Sequence, residues 1–154
     1  MIRAEKIDAP MRLALSEAEA AAARGEVPVG AVIVGPKGEL LAKAGNRTLE
    51  LKDPTAHAEV LAIREASAAL GSDRLIDCDL YVPLEPCAMC AGAISLARIR
   101  RLYYGAEDPK GGGVDHGPRF FAQTTCHHRP EVYGGLSEGL SSTLLRQFFA
   151  DRRD

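Results

Sequence analysis

Two short motifs constrain this 154-residue chain more than any other feature of it. The first is His57-Ala58-Glu59, and the second is Pro86-Cys87-Ala88-Met89-Cys90. Cysteine sulfur and histidine nitrogen are good ligands for zinc, and a catalytic zinc site has three protein ligands and an open fourth position. His57, Cys87 and Cys90 supply three such ligands. Glu59 then remains free to transfer protons to and from the water that fills the fourth position.

The residues before the first motif predict a helix start. Asp53-Pro54-Thr55 combines capping oxygens with a proline suited to a first turn, which predicts a helix over 55–69. His57 and Glu59 would then lie in that first turn. Because side chains tilt toward the helix N-terminus, we expect both to reach a metal ion beyond the end of the helix.

The second motif predicts another helix start. Pro86 is typical of the position where a helix begins, and the predicted helix covers 87–97. Cys87 and Cys90 would share one face of its first turn. The partial positive charge at a helix N-terminus stabilises thiolates. The two motifs therefore predict two helix ends that meet at one ion.

The two motifs are much more specific together than separately. A CxxC pair alone also fits a redox pair or half of a structural zinc site, and an HxE triplet alone carries little information. A closed structural site requires a fourth Cys or His ligand. The combination of HxE with PCxxC is the signature of zinc-dependent deaminases, so a catalytic zinc site is the favoured interpretation.

The residues around both motifs resemble the bacterial tRNA-specific adenosine deaminases, a family within the cytidine deaminase-like superfamily. The resemblance covers nearly the whole chain, and it is carried by residues 55–59, 84–93, 26–32, 45–47, 103–106 and 148–149. Strands that alternate with helices already indicate an α/β fold with helices on both faces of the sheet. The resemblance implies a three-layer α/β/α cytidine deaminase-like fold with a five-stranded mixed sheet, as a single zinc-dependent deaminase domain over 1–154.

The resemblance also implies the activity. It is the hydrolytic deamination of adenosine to inosine at the wobble position of a tRNA anticodon, with Zn²⁺ on His57, Cys87 and Cys90 and with Glu59 as the proton-transfer catalyst. The anticodon stem-loop and a second copy of the chain, in a homodimer, are the implied partners. The implied substrate contacts are Val29, Asn46, Ala58, Pro86, Asp108, Lys110, Phe149, Arg152 and Arg153.

Two other functions stay open at this point. One is a zinc-dependent deaminase of a free nucleobase or nucleoside, of guanine or cytosine type. Asp151 and Asp154 interrupt the basic cluster at the C-terminal end, which keeps this alternative open. The other is a non-catalytic, zinc-stabilised RNA-binding module. Glu59 argues against it, because a structural site has no use for a carboxylate that is not a ligand.

Composition limits the class of protein. The net charge of −2 and the pI of about 6.1 argue against a broad basic surface for nucleic acid. Four cysteines are too few for a disulfide scaffold, and the use of two of them in a metal motif suits a reducing compartment. Cys78 and Cys126 are predicted to be buried apolar residues. The chain shows no signal peptide or membrane-spanning stretch, so a cytoplasmic enzyme is expected.

Periodicity predicts the remaining elements. These are a helix over 9–24, a hairpin of strands 27–34 and 39–44, strands over 80–82, 101–105 and 131–133, and a helix over 138–150. Ser137 is predicted to cap the last helix, with Leu140, Leu144 and Phe148 facing the core. His116, His127 and His128 are interpreted as members of a surface segment and not as a second metal site.

Overall fold

The structure is a computed structural model that describes the backbone of residues 4–150 and the side chains of residues 9–150. Within this range the chain forms four α-helices and five β-strands. In chain order they are α1 Ala4–Ala23, β1 Gly30–Val34, β2 Leu40–Gly45, α2 Ala58–Leu70, β3 Asp79–Leu84, α3 Ala88–Ala97, β4 Arg101–Ala106, β5 Glu131–Tyr133 and α4 Glu138–Ala150. None of these helices is both long and apolar enough to cross a membrane.

The five strands form one mixed sheet in the order β2-β1-β3-β4-β5. Strand β1 pairs antiparallel with both β2 and β3, whereas β4 pairs parallel with β3 and with β5. This arrangement confirms the predicted α/β fold with an antiparallel first hairpin and a mostly parallel remainder, in which the β1–β3 pair is the antiparallel exception.

Helices cover both faces of the sheet, which gives three layers. Helices α1 and α4 contact one face, where Met11, Leu15 and Tyr81 belong to one core cluster. Helices α2 and α3 contact the other face, where the larger core cluster includes Ile33 and Leu80. Both clusters consist largely of aliphatic residues and alanines, and the small alanines allow the helices to lie close to the sheet.

The ends of four strands, β1 to β4, lie together at one edge of the sheet. Strand β3 runs into α3 at this edge, and its parallel neighbour β4 ends beside it and continues into a long loop. Because β1 is antiparallel to both neighbours, its first residue Gly30 pairs with Gly45, the last residue of β2, at the same edge. Ligand sites in open α/β sheets lie at such carboxyl ends of strands.

Two predicted helix starts were wrong. Helix α1 begins at Ala4, five residues before the prediction, and Pro10 lies inside it. Residues 4–9 are mostly good helix formers, which outweighs the single lost hydrogen bond at the proline. Helix α2 begins at Ala58 and not at residue 55. Asp53 caps a local turn instead, because its Oδ1 accepts hydrogen bonds from the N–H and hydroxyl of Thr55 at 2.9 and 2.7 Å.

The predicted core face of the last helix was partly wrong. Leu140 is 65% exposed, whereas Ser141 is buried and Leu144 packs against the α1-side cluster. The Cβ atom of any larger residue at Gly105, in β4, would lie 2.5 Å from the hydroxyl oxygen of Ser141. A glycine and a serine thus permit the close approach of α4 to the sheet. Ser137 precedes the helix with its backbone carbonyl as the acceptor for Ser141.

Candidate active site and metal centre

The three predicted ligand atoms lie together. Nδ1 of His57 is 3.6 Å from Sγ of Cys87 and 3.5 Å from Sγ of Cys90. In the described part of the chain this is the one group of three or more His, Cys, Asp or Glu residues with ligand atoms within 4.8 Å of one another. Zinc bonds of about 2.05 Å to nitrogen and about 2.3 Å to sulfur, at tetrahedral angles, require an N···S separation of about 3.6 Å. The donor set and its spacing therefore fit a tetrahedral zinc ion.

Two helix N-termini place these ligands. His57 is the N-cap residue of α2, with the extended backbone angles φ −73° and ψ 150°. Cys87 is the N-cap residue of α3, with φ −72° and ψ 174°, and Cys90 follows in the first turn. The prediction that two helix ends meet is confirmed. His57 lies one residue outside its helix, so the direction of its side chain is not set by the helical spacing between His57 and Glu59.

The two cysteines differ in acidity. The pKa of Cys87 is lowered to about 4, first by the hydrogen bond from the Cys90 thiol and then by the His57 ring. The pKa of Cys90 is raised, because its proton is held against the Cys87 sulfur and because it is buried. The thiolate at Cys87 in turn raises the pKa of His57. Thiolate sulfur and imidazole nitrogen form a donor set suited to zinc.

Glu59 is the acidic residue of the first turn of α2 and is only 4% exposed. Burial raises the pKa of its carboxyl group above the ordinary value. A raised pKa lies closer to neutral pH, at which the carboxyl group can both accept and donate a proton. Glu59 and the ligands His57 and Cys87 line the same pocket.

This pocket has a volume of about 280 Å³ and lies at the strand ends described above. Its lining residues are Val27, Val29, Asn46, Thr48, His57, Glu59, Leu84, Glu85, Cys87, Asp108 and Gly111. Three predicted substrate contacts, Val29, Asn46 and Asp108, are therefore in the wall. Ala58 and Pro86 are buried beside the metal ligands in the chain and do not belong to this wall.

A second concave surface, the α4 groove, continues from the pocket. It has a volume of about 940 Å³, and its lining residues are Val27, Leu84, Glu107, Asp108, Lys110, Gly111, Leu145, Arg146, Phe149 and Ala150. The predicted contacts Lys110 and Phe149 lie here, 20 or more residues from the metal ligands in sequence but next to the pocket in space. Arg152 and Arg153 lie outside the described residues.

Sequence reasoning missed several residues of these walls. Thr48, Leu84 and Arg146 carry no distinguishing pattern in the chain. Glu26 and Glu85 are large buried acids, both 2% exposed. Glu26 lies shortly before β1 and Glu85 directly follows β3, and a glutamate next to an apolar strand is the feature of the sequence that could have marked them.

Glu26 organises the loop that follows β2. Its Oε1 accepts hydrogen bonds from Nδ2 of Asn46 at 3.4 Å and from the N–H of Leu49 at 3.1 Å, and its Oε2 accepts from the N–H of Glu50 at 2.8 Å. Burial raises the pKa of Glu26, but the backbone hydrogen bonds from Glu50 and Leu49 outweigh it, so the pKa lies below its ordinary value.

The histidine segment and the other cysteines have structural contacts. Nδ1 of His116 lies 2.7 Å from Oε1 of Glu85, and Nε2 of His128 lies 2.7 Å from the carbonyl oxygen of Ile99. Cys78 and Cys126 are buried, as predicted. His127 is exposed and His116 and His128 are half-buried, and the absence of a second metal site in this segment stays a prediction.

Comparison with known proteins identifies the family. Residues 4–106 match the family described as the cytidine and deoxycytidylate deaminase zinc-binding region. A tRNA-specific adenosine deaminase of Agrobacterium fabrum is 62% identical over 143 residues, which cover 93% of each chain. One from Rickettsia bellii is 47% identical over 94% of this chain and all of its own.

Solved structures agree with this assignment. A structure from a study of A-to-I editing by tRNA:A34 deaminases at the wobble position of transfer RNA is 62% identical, with a TM-score of 0.86 over 88% of this chain and 98% of its own. A guanine deaminase from Nitrosomonas europaea shares 26% identity, with a TM-score of 0.81 over 97% of this chain and 87% of its own. The chain belongs to the tRNA-specific adenosine deaminases, within the zinc-dependent cytidine and deoxycytidylate deaminase family.

Proposed function

We propose that this chain hydrolyses adenosine to inosine at the wobble position of a tRNA anticodon, in the cytoplasm, as a single zinc-dependent deaminase domain. The observation that carries the proposal is the buried carboxylate of Glu59 in the same pocket as a His/Cys/Cys group at tetrahedral spacing. The high identity to tRNA-specific adenosine deaminases over nearly the whole chain supports the substrate.

In this mechanism His57, Cys87 and Cys90 hold the metal and Glu59 moves the protons. When bound, zinc lowers the pKa of a coordinated water and so supplies a nucleophile at neutral pH. Glu59 accepts a proton from the attacking water as the C–O bond forms at C6 of adenine, and it delivers this proton to N1. It then transfers the second proton of that water to the exocyclic amine. The C6–N bond breaks, and inosine and ammonia are the products.

The pocket walls orient the base in this proposal. Val29 and Asp108 lie on the wall, and Asn46 presents a polar group to the base or to its ribose. Ala58 and Pro86 support the wall through the backbone beside the metal ligands. A base in a single-stranded loop can leave its stack and enter such a pocket at a cost of a few kcal/mol.

The α4 groove is the proposed site for the nucleotides next to the target. Phe149 is 48% exposed and offers a ring for base stacking, and Lys110 and Arg146 offer positive charges for phosphates. Arg152 and Arg153 follow Phe149 in sequence and are proposed to extend the same contacts.

The proposed active form is a homodimer that uses the outer face of α2 and α3. Leu96 is 79% exposed on α3, and Met89, which is 39% exposed, lies between the two cysteine ligands. A concave surface of about 760 Å³ runs between the two helices, with Ile63 and Ala93 in its lining. An apolar face of this kind, so close to the metal ligands, fits a second copy that helps to shape the RNA site.

The two other functions are less well supported. The guanine deaminase shares the fold at 26% identity, whereas the tRNA-specific relative shares 62%. A non-catalytic module would not require a buried glutamate in the metal pocket. We therefore retain both only as outcomes of the test below.

The test is inosine formation by zinc-loaded protein on an anticodon stem-loop that carries adenosine at the wobble position. Free adenosine, guanine and cytidine are assayed in parallel, and nucleosides are identified by mass spectrometry. Cys87→Ala is the metal-free arm, and Cys126→Ala is its matched control because Cys126 is buried away from the metal group. We expect inosine in the stem-loop alone, with Cys126→Ala active and Cys87→Ala inactive.

Two results would contradict the proposal. Turnover of a free base alone would support the zinc-dependent deamination but would show that RNA is not the substrate. Absence of turnover on every substrate, with zinc bound, would favour the non-catalytic module.

A further inference from the structure

Glu85 is the most heavily bonded side chain of the site. It follows the last residue of β3, and its side chain has no exposed surface. Its carboxylate is within hydrogen-bond distance of five donors. They are the N–H groups of Asp108 at 3.1 Å, Val114 at 3.2 Å, Asp115 at 3.0 Å and His116 at 3.2 Å, and Nδ1 of His116 at 2.7 Å.

These donors all belong to the loop between β4 and β5, from Asp108 to His116. Asp108 and Gly111 of this loop line both the catalytic pocket and the α4 groove. Oδ1 of Asp108 also accepts the N–H of Gly111 at 2.9 Å, which ties the two wall residues to each other. The loop contains no helix or strand between Asp108 and His116, so its position depends on bonds of this kind.

Only a carboxylate satisfies the whole set of donors. Oε1 accepts from Asp108 and the His116 ring, and Oε2 accepts from the three successive N–H groups. Glutamine has the same shape but places an amide NH₂ on one side, where it meets N–H groups that cannot accept. If the amide oxygen keeps the three N–H groups, the N–H of Asp108 loses its partner.

The same loop touches the metal-binding helix. The N–H of Gly113 donates to the carbonyl oxygen of Pro86 at 2.8 Å. A Cβ atom at Gly113 would lie 2.5 Å from the backbone nitrogen of Ala88, and one at Gly112 would overlap Oε2 of Glu85. Two adjacent glycines therefore let the loop close over the carboxylate and against the start of α3.

We propose that Glu85 is a positioning residue that fixes the wall shared by the base pocket and the α4 groove, and so sets the affinity for the RNA loop. It acts through Asp108 and Gly111, because its own side chain has no exposed surface with which to touch the substrate. The inference rests on the proposed tRNA activity for its kinetic readout. Its structural readout is independent of that activity.

The test compares Glu85→Gln with Asp79→Asn. Asp79 is a matched control, because it is the buried acid at the opposite end of the same strand and is bonded to Arg100 at 2.9 and 3.0 Å. Both variants replace a hydrogen-bonded carboxylate by an amide, but only Glu85 bonds to the loop. The measurements are zinc content, amide hydrogen exchange by NMR, and separate kcat and KM values on the stem-loop.

For Glu85→Gln we expect full zinc content, faster exchange of the amides of Asp108 and residues 114–116, and a KM at least about tenfold higher with kcat within about threefold. A displaced positioning contact has effects of this size or larger. Asp79→Asn should keep both the loop protection and the KM. If exchange of these amides does not change, or if kcat and zinc content fall while KM stays constant, the proposal is wrong.

Gly112→Ala provides a second route if Glu85→Gln does not fold. It moves the loop away from the carboxylate without a change of charge, and Gly139→Ala is the control because a Cβ atom there has open space. We expect the same faster exchange and higher KM for Gly112→Ala alone, and an unchanged KM would overturn the proposal. If the unmodified protein does not deaminate the stem-loop, the proposed function fails, while the exchange data still decide whether Glu85 holds the loop.

Discussion

Nδ2 of Asn46 donates a hydrogen bond to Oε1 of Glu26 over 3.4 Å, between side chains of residues that are 5% and 2% exposed. Nδ2 also lies 3.4 Å from the hydroxyl oxygen of Thr48. The two hydrogens of the amide group are thus engaged, and Oδ1 is the end that remains for the pocket. A carboxylate only accepts, so Glu26 excludes the flipped amide, in which Oδ1 would face it. Asn46 therefore presents an acceptor to the pocket.

This relationship predicts that Glu26→Gln impairs the pocket through Asn46. The glutamine amide can present either end to Asn46, so the direction of the Asn46 amide is no longer fixed. We expect kcat/KM on the stem-loop to fall about tenfold, the value of one net hydrogen bond. Steady-state kinetics of Glu26→Gln, Asn46→Ala and the double variant measure this, and strictly additive losses would show that the two residues act separately.

The lowered pKa of Glu26 predicts a pH dependence of stability. A carboxyl group whose pKa is depressed by folding stabilises the folded state above its unfolded pKa, near 4.5, and loses this effect as the pH falls through the folded value. The free energy of unfolding of the unmodified protein should therefore exceed that of Glu26→Gln at neutral pH, and the difference should shrink below about pH 4.5. Urea unfolding over this range checks it. A difference that grows on acidification would refute the assignment.

Glu59→Gln should separate metal binding from catalysis. The amide preserves the shape of the side chain but cannot accept and return a proton, so we expect kcat to fall by about 10²- to 10⁴-fold, the usual contribution of a general acid–base group. Zinc content and the midpoint of thermal unfolding should stay close to those of the unmodified protein. Glu65→Gln, on the exposed part of the same helix, is the control. Near-normal turnover of Glu59→Gln would disprove the mechanism.

Substitutions in the α4 groove should act on RNA affinity. Phe149→Ala removes a stacking ring, so KM for the stem-loop should rise about tenfold. Arg146→Ala removes a positive charge, so the dependence of KM on salt concentration should become weaker. Gln147→Ala is the control, since Gln147 is exposed on the same helix but outside the groove. Equal effects of all three substitutions would indicate that helix stability, and not RNA contact, is measured.

Leu96→Glu should disrupt the proposed homodimer. It places a charge on the most exposed large apolar side chain among the described residues, so sedimentation should show a monomer where the unmodified protein is a dimer. Leu40→Glu is the control, because Leu40 is 52% exposed at the start of the edge strand β2 and does not line the surface between α2 and α3. A dimer that persists in Leu96→Glu would assign the contact to another surface.

Local patterns predicted the elements of the fold. Strand β5 has the predicted bounds of Glu131–Tyr133, because its neighbours are turn residues on both sides. The three ligands come together as predicted, since each stands where a helix begins. The error at Asp53 has a local cause as well, because its carboxylate accepts hydrogen bonds from Thr55 and so caps a turn and not the helix.

Contacts between distant residues could not be predicted in this way. Glu26 and Glu85 bond to groups 20 to 31 residues away, and most of these groups are backbone N–H donors that every residue type carries. No pattern in the chain marks such donors. The same applies to Leu140, whose spacing fits a core face, although the close approach at Gly105 selects Ser141.

The closed packing around Gly112 and Gly113 has a consequence for protein engineering. In a library that randomises this loop, substitutions at those two positions would be unproductive, because every side chain there collides with Glu85 or with the start of α3. Glu107 and Pro109 are exposed on the same loop and can change without such a collision, whereas a change at exposed Lys110 would alter a proposed phosphate contact. In directed evolution toward a new nucleic acid, we therefore expect accepted substitutions at the exposed positions of the loop and none at Gly112 and Gly113.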